Sequence, residues 1–111
     1  MIILADDVGT GDIPSYWNSS VVDMPNIAAL VSKGTTFIDA HSTPLCATSR
    51  YVLLSGNYQY RGYAMRGVWD SNYESGQFLH GQKSLAEVLR DQGGYHTMML
   101  GKWHLGGEIN Y

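Results

Sequence analysis

Little in this chain is available for cross-linking or for stiffening. Of 111 residues one is cysteine, Cys46, and three are proline. A lone cysteine forms no disulfide within its own chain, so a disulfide-stapled miniature fold is excluded and Cys46 is either a core residue or a reactive one. No apolar run nears the roughly 20 residues that cross a bilayer. No charged segment leads into an apolar stretch, so no signal peptide is visible. Basic residues are sparse and scattered: seven Lys and Arg against ten Asp and Glu, a net charge of -3. Without a basic stripe, a nucleic-acid partner is not expected. Repeats and low-complexity tracts are also missing.

What is present is enough for a core. Hydrophobic residues make up 44% and charged residues 15% of the chain, a globular balance. The length allows at most one domain, 1–111. The chain opens on Met1-Ile2-Ile3-Leu4-Ala5, which reads as a buried strand with nothing before it, and stops at Glu108-Ile109-Asn110-Tyr111, just after a Gly-rich turn. Both ends suggest part of a longer protein. Asn18-Ser19-Ser20 fits the N-glycosylation pattern, one that chance also produces.

Helix and strand signals alternate. Residues 2–5 predict a strand and 6–20 a polar loop. Pro25 suits the first position of a helix that runs to Lys33 and stops at Gly34. Thr35-Thr36-Phe37-Ile38 predicts a strand. A helix follows Cys46 and ends near Gly56. Residues 57–80 show no period and predict a long loop. Ser84 with Glu87 forms a capping-box signature for a helix with Leu85, Val88 and Leu89 on one face, ended by Gly93 and Gly94. Thr97-Met98-Met99-Leu100 predicts the last strand. The alternation implies an α/β fold, a mostly parallel sheet flanked by helices.

Three polar clusters fall just beyond predicted strands or at a helix start, where such a fold places its chemistry. Asp6-Asp7 follows the first strand; adjacent carboxylates repel and suit a hard cation, although a solvated turn with Asp as a cap is the plainer reading of the spacing alone. Cys46 and Arg50 lie four apart, on one face of a helix whose N-terminus favours negative charge. A buried thiol with a surface arginine is the plainer reading of that pair. Gly101-Lys102-Trp103-His104-Leu105-Gly106 follows the last strand. If extended, it points Lys102 and His104 the same way and Trp103 the other. Lysine supplies a point charge for an anion, and histidine a proton near neutral pH. Tyr58, Tyr60, Tyr63 and Trp69 form an aromatic-rich loop, a sugar-stacking surface or, more simply, local packing.

Taken together, these stretches resemble the sulfatase family of the alkaline-phosphatase-like superfamily. Leu4-Ala5-Asp6-Asp7-Val8-Gly9-Thr10-Gly11-Asp12 is similar to its opening strand and metal-binding turn, and Met24-Pro25-Asn26-Ile27 with Gly34-Thr35-Thr36-Phe37 to its first helix and second strand. Cys46-Ala47-Thr48-Ser49-Arg50 with Leu54-Ser55-Gly56 is similar to its signature, and Gly101 to Gly106 to its second signature.

The resemblance implies the N-terminal portion of a sulfatase catalytic domain that cleaves sulfate esters of small molecules or carbohydrates. In the family the signature cysteine becomes formylglycine. One hydroxyl of its hydrate attacks sulfur, and the second then expels sulfate. A divalent metal, usually calcium, stabilises developing charge. Carried over, Asp6, Asp7 and the modified Cys46 ligate the metal; Cys46, Arg50 and His104 are catalytic; Lys102 and His104 bind sulfate. The partners implied are the sulfate ester and the formylglycine-generating enzyme, and the compartment is secreted, lysosomal or periplasmic. Thr48 stands where the usual signature has proline. The family's remaining ligands lie beyond residue 111. Two other readings stand beside this one: a catalytically incompetent fragment or pseudoenzyme, and a Cys46–His104 thiol hydrolase that needs no metal.

Overall fold

The computed structural model describes residues 1–14, 16, 22–66 and 76–106. Asn18 and Trp69, singled out above, lie outside the described residues. The chain divides into two units, Met1–His41 and Ser42–Tyr111.

Among the described residues of the first unit one α-helix forms, α1, Pro25–Lys33. Proline at its first position gives up an N–H that would have had no helical partner. Gly34 ends it, its N–H donating to the Val31 carbonyl at 3.3 Å. Ahead of α1, a short 3-10 turn spans Thr10–Asp12, closed by Gly9 N–H donating to Asp12 Oδ2 at 2.8 Å.

The second unit holds α2, Cys46–Ser55, and α3, Leu85–Gly93, with a 3-10 turn at Gln59–Arg61 between them. Gly56 closes α2 at φ 66°, a left-handed turn that glycine makes without a Cβ penalty. Gly94 closes α3 in the same way at φ 65°. The Ser84 hydroxyl accepts from Glu87 N–H, and the Glu87 carboxylate accepts from Ser84 N–H at 2.7 Å, so the predicted capping box forms.

The core belongs to this unit. Tyr51, Leu105, Ala47 and Ala64 are buried, together with Thr48, Arg50 and Gln77. Gln77 does the joining. Its carboxamide accepts from Ala64 N–H at 3.0 Å and donates to Ala64 C=O at 3.2 Å, and its backbone N–H donates to the Leu105 carbonyl at 2.8 Å. Gly62 lies against it: a Cβ there would meet Gln77 Cδ at 2.8 Å and its carbonyl oxygen at 2.9 Å.

The sheet is where expectation and structure part. Among the described residues no β-ladder forms, and segments 2–5, 35–38 and 97–100 pair with nothing. A strand is defined by a neighbour that takes its N–H and C=O groups, which local sequence cannot supply. Their apolar side chains stand open: Ile38 is 94%, Met98 86% and Leu100 87% exposed. The helices of the expected α/β pattern are present, and among the described residues no strand forms the expected sheet.

Two outcomes test this packing. Gly62→Ala should destabilise the second unit by about 1–3 kcal/mol, the range for overpacking, read as a lowered urea midpoint. Ser84→Ala should cost about 1 kcal/mol. The Ser84 N–H, then its hydroxyl, hold the Glu87 pKa below the ordinary value. That stabilisation is therefore complete above the unfolded-state pKa and is lost as pH falls through the folded one. Acid titration of α3 helicity should be shallower in Ser84→Ala than in the parent chain.

Candidate active site

Cys46 is the first residue of α2, with Leu45 as its N-cap in extended geometry (φ -126°, ψ 148°). Leu45 has no side-chain oxygen for capping. Hydroxyl groups on either side tie the turn instead. Thr48 Oγ1 donates to the Leu45 carbonyl at 2.8 Å and Ser49 Oγ to the Thr43 carbonyl at 3.0 Å, while Thr43 Oγ1 meets Ser49 Oγ at 2.8 Å. Thr48 is thus the third helical residue, where the backbone N–H has no helical acceptor, and its hydroxyl bonds back to the turn's start.

Across from this turn lies the 101–106 segment, and it is not extended throughout. Gly101 has φ 102°, His104 58° and Gly106 58°. His104 and Asp7 are the two non-glycine residues at positive φ among the described residues. For an L residue that conformation costs roughly 1–2 kcal/mol. The expected alternation of Lys102, Trp103 and His104 therefore gives way to a bent loop, because each left-handed residue reverses the chain's course.

The bend brings chemistry together. His104 Nδ1 lies 3.3 Å from Cys46 Sγ, both partly buried. Which ring nitrogen carries the proton is set by the tautomer; either choice leaves a thiol–imidazole hydrogen bond. Arg50, only 8% exposed, donates from Nη1 to the Lys102 carbonyl at 2.6 Å. The Lys102 side chain is exposed. Four of the six expected site residues, Cys46, Arg50, Lys102 and His104, thus interlock within one unit.

The remaining two, Asp6 and Asp7, are exposed in the first unit, with Asp7 at φ 59°. Carboxylates are the right donors for a hard cation, but such an ion takes roughly six to eight oxygens. Among the described residues no group of three or more His, Cys, Asp or Glu side chains is arranged to hold a metal. Asp6 and Asp7 alone therefore do not supply such a shell. The Cys46 position does fit conversion of its thiol: it is free of disulfide, and a group replacing Sγ stays within reach of His104.

Sequence reasoning missed the supports of this loop. Trp103 Nε1 donates to the Gly106 carbonyl at 3.0 Å, and its ring stacks on Phe78 at 6.1 Å, which meets Tyr51 edge-on at 5.5 Å. Tyr51 OH donates to Gln82 Oε1 at 3.0 Å. Phe78 and Gln77 sit in a segment without periodicity, so nothing local marked them. Tyr58 and Tyr60 stack on each other at 5.6 Å and are exposed, as is Tyr63.

The family model described as Sulfatase matches residues 1–108. Arylsulfatase G of Mus musculus is 38% identical over 112 residues, covering 100% of this chain and 21% of that protein. Steryl-sulfatase of Homo sapiens is 34% identical over 111 residues, covering 96% of this chain and 19% of that protein. Arylsulfatase A of Bos taurus is 40% identical over 107 residues, covering 96% and 20%. The chain thus spans about a fifth of the length of the curated relatives it matches. No solved structure gives a significant match.

The strained His104 backbone gives a test. His104→Gly relieves the left-handed cost and His104→Ala keeps it. The glycine variant should therefore be at least as stable as the alanine variant in urea unfolding, offset partly by glycine's larger unfolded-state entropy. Both should slow alkylation of Cys46. A glycine variant markedly less stable than the alanine variant would contradict the strain.

Proposed function

The chain belongs to the sulfatase family, and from that premise we propose that it supplies the nucleophile and part of the sulfate-binding apparatus of a sulfuric ester hydrolase. The observation that carries this reading is the 3.3 Å approach of Cys46 Sγ and His104 Nδ1, with Arg50 fastened to Lys102 behind them. The two stretches are 58 positions apart in sequence for the Cys46–His104 pair, so their meeting is a property of the fold.

Cys46 is the residue for conversion to formylglycine, which as a hydrate supplies a hydroxyl nucleophile. Arg50 steadies that position, with Cys46 and His104 as the reacting pair. The exposed Lys102 ammonium is suited to sulfate oxygens, where a point charge on a flexible stem can follow the anion as it changes geometry. His104 adds a second contact to sulfate and can pass a proton to the departing alcohol oxygen. Asp6, Asp7 and the modified Cys46 are proposed as part of a calcium shell, with further oxygens from elsewhere in the protein. When bound, the cation stabilises negative charge on the sulfate group. The partners of this reading are a small-molecule or carbohydrate sulfate ester and the formylglycine-generating enzyme; its compartment is secreted, lysosomal or periplasmic. Among the described residues no helix is long and apolar enough to cross a membrane.

The test begins with mass spectrometry of the Cys46 peptide from a host that makes formylglycine. Replacement of sulfur by oxygen with loss of two hydrogens is expected, followed by hydrolysis of an aryl sulfate by the protein containing this chain. Cys46→Ala should abolish turnover, and Lys102→Ala should lower kcat/KM by about 10²–10³-fold, as for loss of one preorganised donor. An unmodified thiol together with no turnover would sink the reading. Thr48→Pro should raise the converted fraction by favouring an extended segment, while losing the hydroxyl bond to Leu45 costs about 1 kcal/mol of stability.

A further inference from the structure

We infer that Arg50 is a positioning residue for His104, acting through the Lys102 carbonyl. The inference rests on taking Cys46 and His104 as the reacting pair. It concerns how they are held, not the reaction they serve.

The argument starts from the loop. Three of six residues between Gly101 and Gly106 are left-handed, at φ 102°, 58° and 58°. One of these is His104, which has a Cβ and resists the conformation. A strained residue persists only where its surroundings over-determine it. Fastenings hold both sides of His104. On the C-terminal side, Leu105 is 1% exposed, and its carbonyl accepts from Gln77 N–H at 2.8 Å. Trp103 closes the turn through its indole bond to the Gly106 carbonyl. On the N-terminal side, a bond from Arg50 Nη1 to the Lys102 carbonyl, at 2.6 Å, ties the loop to α2.

That bond is charge-assisted and comes from a buried guanidinium, which makes it among the stronger kinds of hydrogen bond. It also comes from the right place. Cys46 and Arg50 are one helical turn apart on the same rigid element, so the nucleophile and the anchor move together. The Lys102 carbonyl lies two residues before His104, so displacing it swings the imidazole. Arg50 therefore fixes the distance between Sγ and Nδ1 without needing to touch either atom. It leaves the Lys102 ammonium at the surface, so the same residue is anchored by its backbone and presented by its side chain.

The test uses the full chain with Cys46 as thiol and iodoacetamide as probe. Sulfur attacks the probe's methylene carbon, iodide leaves, and the thiol proton passes to His104. In Arg50→Met the rate should fall about five-fold or more, to that of His104→Ala, and the double variant should be no slower than His104→Ala alone, a coupling in the range for residues acting through one network. The Trp103 indole resonance, assigned with Trp103→Phe, should shift in Arg50→Met while α2 and α3 helicity stays that of the parent. Should Arg50→Met fail to fold, Arg50→Gln keeps an amide donor and should give an intermediate rate, and adding Arg50→Gln to His104→Ala should bring no further loss beyond that of His104→Ala. A folded variant that reacts at the parent rate overturns the inference, as do losses that multiply in the double variant. Failure of both variants to fold assigns Arg50 to stability alone and overturns it too. Alkylation needs neither formylglycine nor a sulfate ester, so a negative result here is distinct from failure of the sulfatase reading.

Discussion

Arg50 brings a permanent charge into a place where 8% of its surface meets water, and the Lys102 carbonyl answers it at 2.6 Å. Much of the second unit follows from that meeting. It couples the start of α2 to a loop more than fifty residues away in sequence. The loop could not hold its shape alone, since His104 is kept in a conformation an L residue avoids. Tyr51, the next residue along α2, supports the same loop from its other side through Phe78 and Trp103. One helix thereby carries the thiol, the anchor and the base of an aromatic stack.

Strain at His104 and at Asp7 has a common setting. Both residues were singled out for their chemistry, and both adopt positive φ, 58° and 59°. Folding free energy spent on holding a side chain in an unfavourable turn is recovered only if that side chain's direction matters. At His104 the direction is visible, toward Cys46. At Asp7 the turn follows a short apolar run, and the carboxylate belongs to a unit whose described residues are largely exposed.

How much could be read in advance depended on range. The helix ends were legible because their causes are local: Pro25 and Gly34 bracket α1, Gly56 closes α2, and Ser84 with Glu87 opens α3. Cys46, Arg50, Lys102 and His104 were legible as motif residues, and the fold brings those four together. The strands at 2–5, 35–38 and 97–100 were read from composition, yet a strand needs a partner, and none pairs with them among the described residues. The bend at His104 was missed because a non-glycine residue at positive φ leaves no local signature. Gln77 was missed for a related reason: its role comes from what Ala64 and Leu105 present to it, not from its neighbours in sequence.

The Gln77 amide also gives the unit a chemical lifetime. Its oxygen and nitrogen match the N–H and C=O of Ala64, a pairing that only an uncharged carboxamide can make. Hydrolytic loss of ammonia would leave a glutamate in the same buried slot, with an oxygen now facing the Ala64 carbonyl and a charge that no water reaches. A single such event opens the segment that supports Leu105 and, beside it, His104.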